Sequence, residues 1–174
     1  MELVLGFVPE RDLVAQASRG DRKAFALLHE RYAPTVHAVL LARVPPQEAD
    51  DLVQEVFAKA LEHLASVRDP DAVGGWLCAL ARNLATDYHR SAKRTSALPA
   101  DLEVPGDAAA AADALAAIRE LPATYAETLA MRLVEGMSGP EIAAATGMTP
   151  GSVRVNLHRG MKLLRRRLGE EGGR

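Results

Sequence analysis

Apolar residues recur at steps of three and four along most of this chain, and no stretch sustains the strict alternation of a half-buried strand. The pattern therefore predicts an all-α protein. Gly20 closes a short first helix and Asp21 caps a second, whose apolar stripe is Phe25, Leu28, Tyr32, Val36, Val39 and Leu40. Pro34 lies inside this second helix and is expected to kink it. After Pro45 and Pro46, a third helix turns Leu52, Val53, Val56, Phe57, Ala60 and Leu64 inward and groups Asp51, Gln54 and Glu55 on the opposite side. Segment 66–75, with Asp69, Pro70, Asp71, Gly74 and Gly75, reads as a loop. In the long fourth helix Trp76, Leu77, Leu80, Leu84 and Tyr88 pack inward, whereas Asn83, Asp87, Arg90 and Arg94 share an outward face with Arg82 and Lys93 beside it.

From 96 to 112 the composition turns to Ala, Pro, Gly and acids, too little apolar bulk to fix one conformation, so this segment reads as a flexible linker. It separates an N-terminal domain, 1–95, from a C-terminal domain, 113–174. The second domain opens with helices at about 114–120 and 122–134, closed by Gly136. Ser138 and Glu141 then have the spacing of a capping box, which starts a helix at Gly139, and Gly147 ends it. Thr149 and Pro150 cap and open another helix after a short turn. Its expected buried stripe is Val153, Leu157, Met161, Leu164 and Leu168, which leaves Arg154, Asn156, Arg159, Lys162, Arg165 and Arg166 largely outside it. Basic side chains on a terminal helix are often plain solvating charge. Here cap, glycine turn, second cap and basic face occur in the order a DNA-reading helix-turn-helix requires.

The formal net charge of the 174 residues is only −2, which hides a segregated distribution. No carboxylate occurs from 154 to 167, and no Lys or Arg occurs from 96 to 113, where the acids are Asp101, Glu103, Asp107 and Asp113. Cys78 is the only cysteine, so an internal disulfide is excluded and a cysteine-based zinc site is not expected. The five histidines are scattered without ligand spacing, and neither a metal nor any other cofactor is expected. No nucleophile–base pair or phosphate-binding glycine loop suggests an enzyme. The chain begins without a signal-peptide pattern and contains no apolar run approaching the ~20 residues of a membrane span, so a cytoplasmic protein is expected.

Three segments carry a family resemblance. ADDLVQEVFAKAL (49–61), WLCALARNLATDYHR (76–90) and LPATYAETLAMRLVEGMSGPEIAAATGMTPGSVRVNLHRGMKLLRRRL (121–168) resemble, in that order, the core-binding helix, the W-L-x-x-I-A-R-N-x-x-x-D-x-x-R segment and the promoter-binding domain of extracytoplasmic-function (ECF) RNA polymerase sigma factors. The chain departs from the pattern at Leu80, where Ile is commoner, and at Tyr125 to Glu127, which lack the Arg often found after the Leu-Pro pair. Ser152 also stands for a common Thr, and Val155-Asn156 for Ser-Arg.

The resemblance implies a transcription initiation factor with core RNA polymerase and promoter DNA as partners, and an anti-sigma factor as a further partner. It implies core binding by Asp51, Gln54 and Glu55, an acidic and amide row suited to arginines of a partner helix. The implied downstream (−10) contacts are Arg82, Asn83, Asp87, Arg90, Lys93 and Arg94, with loop 66–71 capturing a base; Asp87 has an equal alternative role in orienting Arg90. Upstream (−35) reading falls to Ser152, Arg154, Asn156 and Arg159, and phosphate grip to Lys162, Arg165, Arg166 and Arg167. The acidic linker is either solubilising disorder or a nucleic-acid mimic. The alternative functions are a sigma-like decoy that binds an anti-sigma factor without recruiting polymerase, and a dimeric repressor.

Overall fold

The computed structural model describes residues 8–95 and 106–169, which form eight α-helices with no strand among them. These are α1 Glu10–Ala17, α2 Arg22–Leu41, α3 Pro46–His63, α4 Val73–Thr95, α5 Gly106–Arg119, α6 Ala123–Leu133, α7 Gly139–Thr146 and α8 Pro150–Arg167. The expected boundaries hold where side-chain chemistry sets them. The Asp21 carboxylate accepts from the backbone N–H of Lys23 and Ala24 at the start of α2, and Gly147, at φ +74°, ends α7 in the left-handed conformation. The helix α2 continues through Pro34 to Leu41.

Two expectations are corrected. The helix α5 begins at Gly106, inside the expected linker, because the run Ala108–Ala112 has the highest helix propensity available and needs little burial to coil. Residues 96–105 and their acids Asp101 and Glu103 lie outside the described residues. Segment 66–75 is also more ordered than a plain loop: 3-10 turns occupy Leu64–Ser66 and Pro70–Ala72, the Asp69 carboxylate caps the second, and α4 already starts at Val73.

The helix α2 is the centre of the molecule. It packs against α1, α3 and α4 of the first half and against α6 and α7 of the second. Toward its C-terminus Thr35, Val36, Ala38, Val39, Leu40 and Leu41 are all buried, so one stripe no longer suffices and the helix is covered nearly all round. Leu13, Val36, Phe57 and Leu77 of the first half belong to one continuous apolar cluster with Leu129, Ile142, Val153 and Leu164 of the second. The two halves therefore share a core.

The approach of α7 to α4 depends on one glycine. A Cβ added at Gly74 would lie 2.1 Å from the carbonyl oxygen of Ala145 and 2.7 Å from Cε1 of Tyr32. Only a residue without a side chain lets the last turn of α7 rest against the first turn of α4.

Candidate nucleic-acid interface

The helix-turn-helix is built by the caps expected of it. The Ser138 hydroxyl accepts from the Glu141 N–H while the Glu141 carboxylate accepts from the Ser138 N–H at 2.7 Å, and these bonds hold the Glu141 carboxyl below its ordinary range. Thr149 Oγ1 accepts from the Ser152 N–H at 3.1 Å, and the two hydroxyls share a further bond at 2.8 Å. The Ser152 side chain is thus committed to the cap that starts α8 as well as exposed at its N-terminus.

The buried stripe of α8 is rotated from the expected one. Val153, Asn156, Gly160 and Leu164 are buried, Leu157 and Met161 are half-buried, and Leu168 is exposed. The physical reason lies at Gly160, where a Cβ would stand only 3.0 Å from Leu129 Cδ1 and 3.3 Å from Tyr125 Cβ. The missing side chain draws α8 onto α6 along the Gly160 line, and the larger Leu157 and Met161 shift to its edge. Asn156, expected outside the stripe as a base-reading residue, is only 9% exposed. Arg154, Arg159, Lys162, Arg165 and Arg166 stand on the exposed face, as does Ser152. Lys162 and Arg165, with Arg132, Leu133, Leu157, His158 and Met161, line a groove of about 610 Å³ between α6 and α8. Arg167 is engaged elsewhere, paired with the Glu120 carboxylate at the junction of α5 and α6.

On α3, Asp51, Gln54 and Glu55 form an exposed row, with Glu55 3.3 Å from Lys59. On α4, Asn83, Asp87 and Arg90 are exposed, and Asp87 lies 3.7 Å from Arg90, the geometry of an orienting pair. Lys93 and Arg94 fall within the last turns of α4. A cleft of about 460 Å³ lined by Leu52, Glu55, Asp87, Tyr88 and Arg90 joins the α3 and α4 faces. The segment 66–71 is anchored to α1 by Arg11, which donates to Asp71 at 2.6 Å across an exposed ion pair.

Arg82 is placed differently from its neighbours. It is half-buried and reaches across to Glu127 of α6, with Nε 3.0 Å from Oε1 and Nη2 2.8 Å from Oε2. Arg43, just after α2, donates to the same Oε1 from Nε at 3.0 Å and Nη2 at 2.6 Å. Glu127 is 6% exposed. Bonding to this carboxylate holds the Arg82 guanidinium above its ordinary range, while burial pushes the nearby Cys78 thiol up to about 11. Further polar ties flank the cluster. His37 Nδ1 lies 2.6 Å from Glu135 and its Nε2 3.5 Å from Asp50, and Arg119 donates to the Val44 carbonyl at 3.2 Å.

Arg43 and Glu127 were not among the sequence-derived site residues. The sequence offered one signal, a carboxylate within the otherwise uncharged segment 126–131, which once buried requires an ionic or hydrogen-bonding partner. Glu127 also falls within the Tyr125 to Glu127 departure from the family pattern.

The fold and this arrangement define a two-part helical factor with a helix-turn-helix at its end. Residues 28–95 match the family model Sigma-70 region 2, and residues 112–164 match Sigma-70, region 4. The chain belongs to the ECF RNA polymerase sigma factors. It is 35% identical over 171 residues to the ECF RNA polymerase sigma factor SigD of Mycobacterium tuberculosis (strain ATCC 25618 / H37Rv), covering 88% of this chain and 81% of that one. It is 31% identical to the RNA polymerase sigma factor CarQ of Myxococcus xanthus, covering 87% of this chain and 92% of the relative. Among solved structures, CnrH in complex with the cytosolic domain of CnrY is similar with a TM-score of 0.62 at 25% identity, covering 94% of this chain and 99% of that chain. No described helix is long and apolar enough to cross a membrane.

Proposed function

We propose that this chain is a cytoplasmic transcription initiation factor that docks on core RNA polymerase and directs it to particular promoters. In this reading Asp51, Gln54 and Glu55 meet the core enzyme. The α4 row of Asn83, Asp87 and Arg90, continued by Lys93 and Arg94 and joined by Arg82, engages the opened −10 element, with segment 66–71 capturing a base. The N-terminal half of α8 reads the −35 element from the major groove, Arg154 and Arg159 as the base-reading cations. Lys162, Arg165 and Arg166 neutralise phosphate and set the register. Asn156 reads a base only if α8 shifts on binding, since its side chain is buried in the free chain.

The observation that carries the proposal is the double-capped helix-turn-helix whose exposed α8 face is cationic without a carboxylate, joined to a helical half that bears an uncovered acidic and amide row. A stand-alone repressor leaves that second face without a task. The relative CnrH was solved in complex with the cytosolic domain of CnrY, and a further fold relative, the sigma factor RpoE, in complex with the anti-sigma factor NepR from Bartonella quintana. By analogy an anti-sigma factor is a fitting partner here. A decoy that binds only such a partner has no use for the basic α8 face.

The deciding experiment is co-elution of the purified chain with bacterial core RNA polymerase, against an Asp51→Lys variant. The expected result is a stable complex with the unmodified chain that is lost or strongly weakened in the variant. Absence of a complex with the unmodified chain would overturn the proposal in favour of the decoy or repressor.

A further inference from the structure

Glu127 presents one carboxylate to two guanidinium groups from the other half of the molecule. Arg82 meets it with a two-point fork across both oxygens, and Arg43 donates twice to Oε1, the oxygen that Arg82 Nε also reaches. Planar guanidinium forks match carboxylate and phosphate alike, so the same pair has the chemistry to take phosphate once the carboxylate leaves. The surroundings favour exchange. Arg82 is followed on α4 by the exposed Asn83, Asp87 and Arg90, and a cleft of about 170 Å³, lined by Thr124, Glu127, Thr128 and Met148, opens onto the cluster. Much of the Coulomb gain in a buried ion cluster is offset by desolvation, so such a contact orients two bodies more than it binds them irreversibly. A second tie, His37 with Glu135, spans the same interface between α2 and the end of α6.

We propose that Glu127 is an internal latch: beside the apolar core the two halves share, it helps hold them closed by occupying Arg43 and Arg82, and nucleic-acid phosphate takes its place when the halves part. The closed form thereby withholds Arg82 from DNA, and Arg43 becomes an additional phosphate contact in the open form. This rests on the promoter-binding reading for the meaning of the exchange, though not for the latch itself.

Two measurements on the full chain test it. Small-angle scattering compares wild type with Glu127→Gln and Arg43→Gln, and titration of a fluorescein-labelled single-stranded DNA follows each protein by anisotropy. A chain of this length packed as one body has a radius of gyration of about 16 Å, and both variants should expand beyond the wild-type value at unchanged helical circular dichroism. Glu127→Gln should bind the DNA about tenfold more tightly than wild type, an ordinary size for coupling between two sites. Arg43→Gln should expand without that gain, having lost one of the two cations. If Glu127→Gln fails to fold, Arg43→Gln reads the latch from its partly exposed partner. Wild-type dimensions in a folded variant overturn the latch. Expansion of Glu127→Gln without tighter DNA binding overturns the phosphate exchange. Co-elution with core polymerase depends on the α3 face, not on Glu127, so failure of the proposed function is read separately.

Discussion

Gly74 separates two physical effects that predict opposite signs for the same substitution. Replacing a helical glycine by alanine normally stabilises, by up to about 0.5–1 kcal/mol, through the reduced freedom of the unfolded chain. At Gly74 the new Cβ would meet the Ala145 carbonyl oxygen at 2.1 Å, against the ~3.5 Å of an ordinary non-bonded contact. Backbone has to yield by more than an ångström, because the obstruction is a main-chain oxygen and the other neighbour is the buried Tyr32 ring. Overpacking of this kind costs about 1–3 kcal/mol, so Gly74→Ala should destabilise by a net ~0.5–2 kcal/mol. For a chain of this size that is a fall in melting temperature of roughly 1–8 °C, read by circular dichroism. The neighbouring Gly75 is the internal control, since its added Cβ would sit at 3.4 Å from the Thr146 oxygen, an ordinary contact. Gly75→Ala should melt at or slightly above the wild type. A Gly74→Ala protein that melts at or above wild type would refute the packing of α7 on α4.

The caps, the core thiol and the basic face of α8 each have their own test. Ser138→Ala removes a side-chain cap of α7 and should cost about 1 kcal/mol by urea unfolding, with weaker duplex binding. The Glu141 carboxyl is held low in the folded state, so its stabilisation is complete above the ordinary glutamate value of ~4.3 and is lost as pH falls through the depressed one; Glu141→Gln should flatten that part of the stability–pH curve. The Cys78 thiol, buried and pushed up to about 11, should resist alkylation near neutral pH until the protein is unfolded, and rapid labelling of the native chain would contradict its placement. Replacing both Lys162 and Arg165 by Ala should reduce the salt slope of promoter affinity by about 2 while leaving base preferences unchanged, as measured by titration at several salt concentrations.

Much of the architecture was legible because local chemistry dictates it. Asp21, Ser138, Thr149 and Gly147 fix helix ends through bonds made within a few residues, and these ends fell where expected. The rotation of the α8 stripe was not legible from periodicity, which counts apolar side chains and assigns none to Gly160. It is the absence of a side chain there that sets which line of α8 meets Leu129. The early start of α5 escaped for a different reason: low apolar content was read as disorder, yet an alanine run coils on backbone propensity alone. Arg82 was expected on the outward DNA-facing side of its helix, and its pairing was not legible because the partner lies 45 residues away on another helix. The dense apolar end of α2, Val36 to Leu41 interrupted only by His37, was the clue that a second body covers that helix.

The faces left open in the closed chain also set an order of events. The α3 row and the cationic side of α8 are uncovered, while Arg82 is withheld. On the proposed function, encounter with polymerase or with duplex needs no prior rearrangement. Its rate should therefore scale with concentration and remain indifferent to Glu127. Separation of the halves then follows as a first-order step with its own time constant. In a stopped-flow record of assembly, substitution at Glu127 should shorten the slow, concentration-independent phase and leave the fast one where it was.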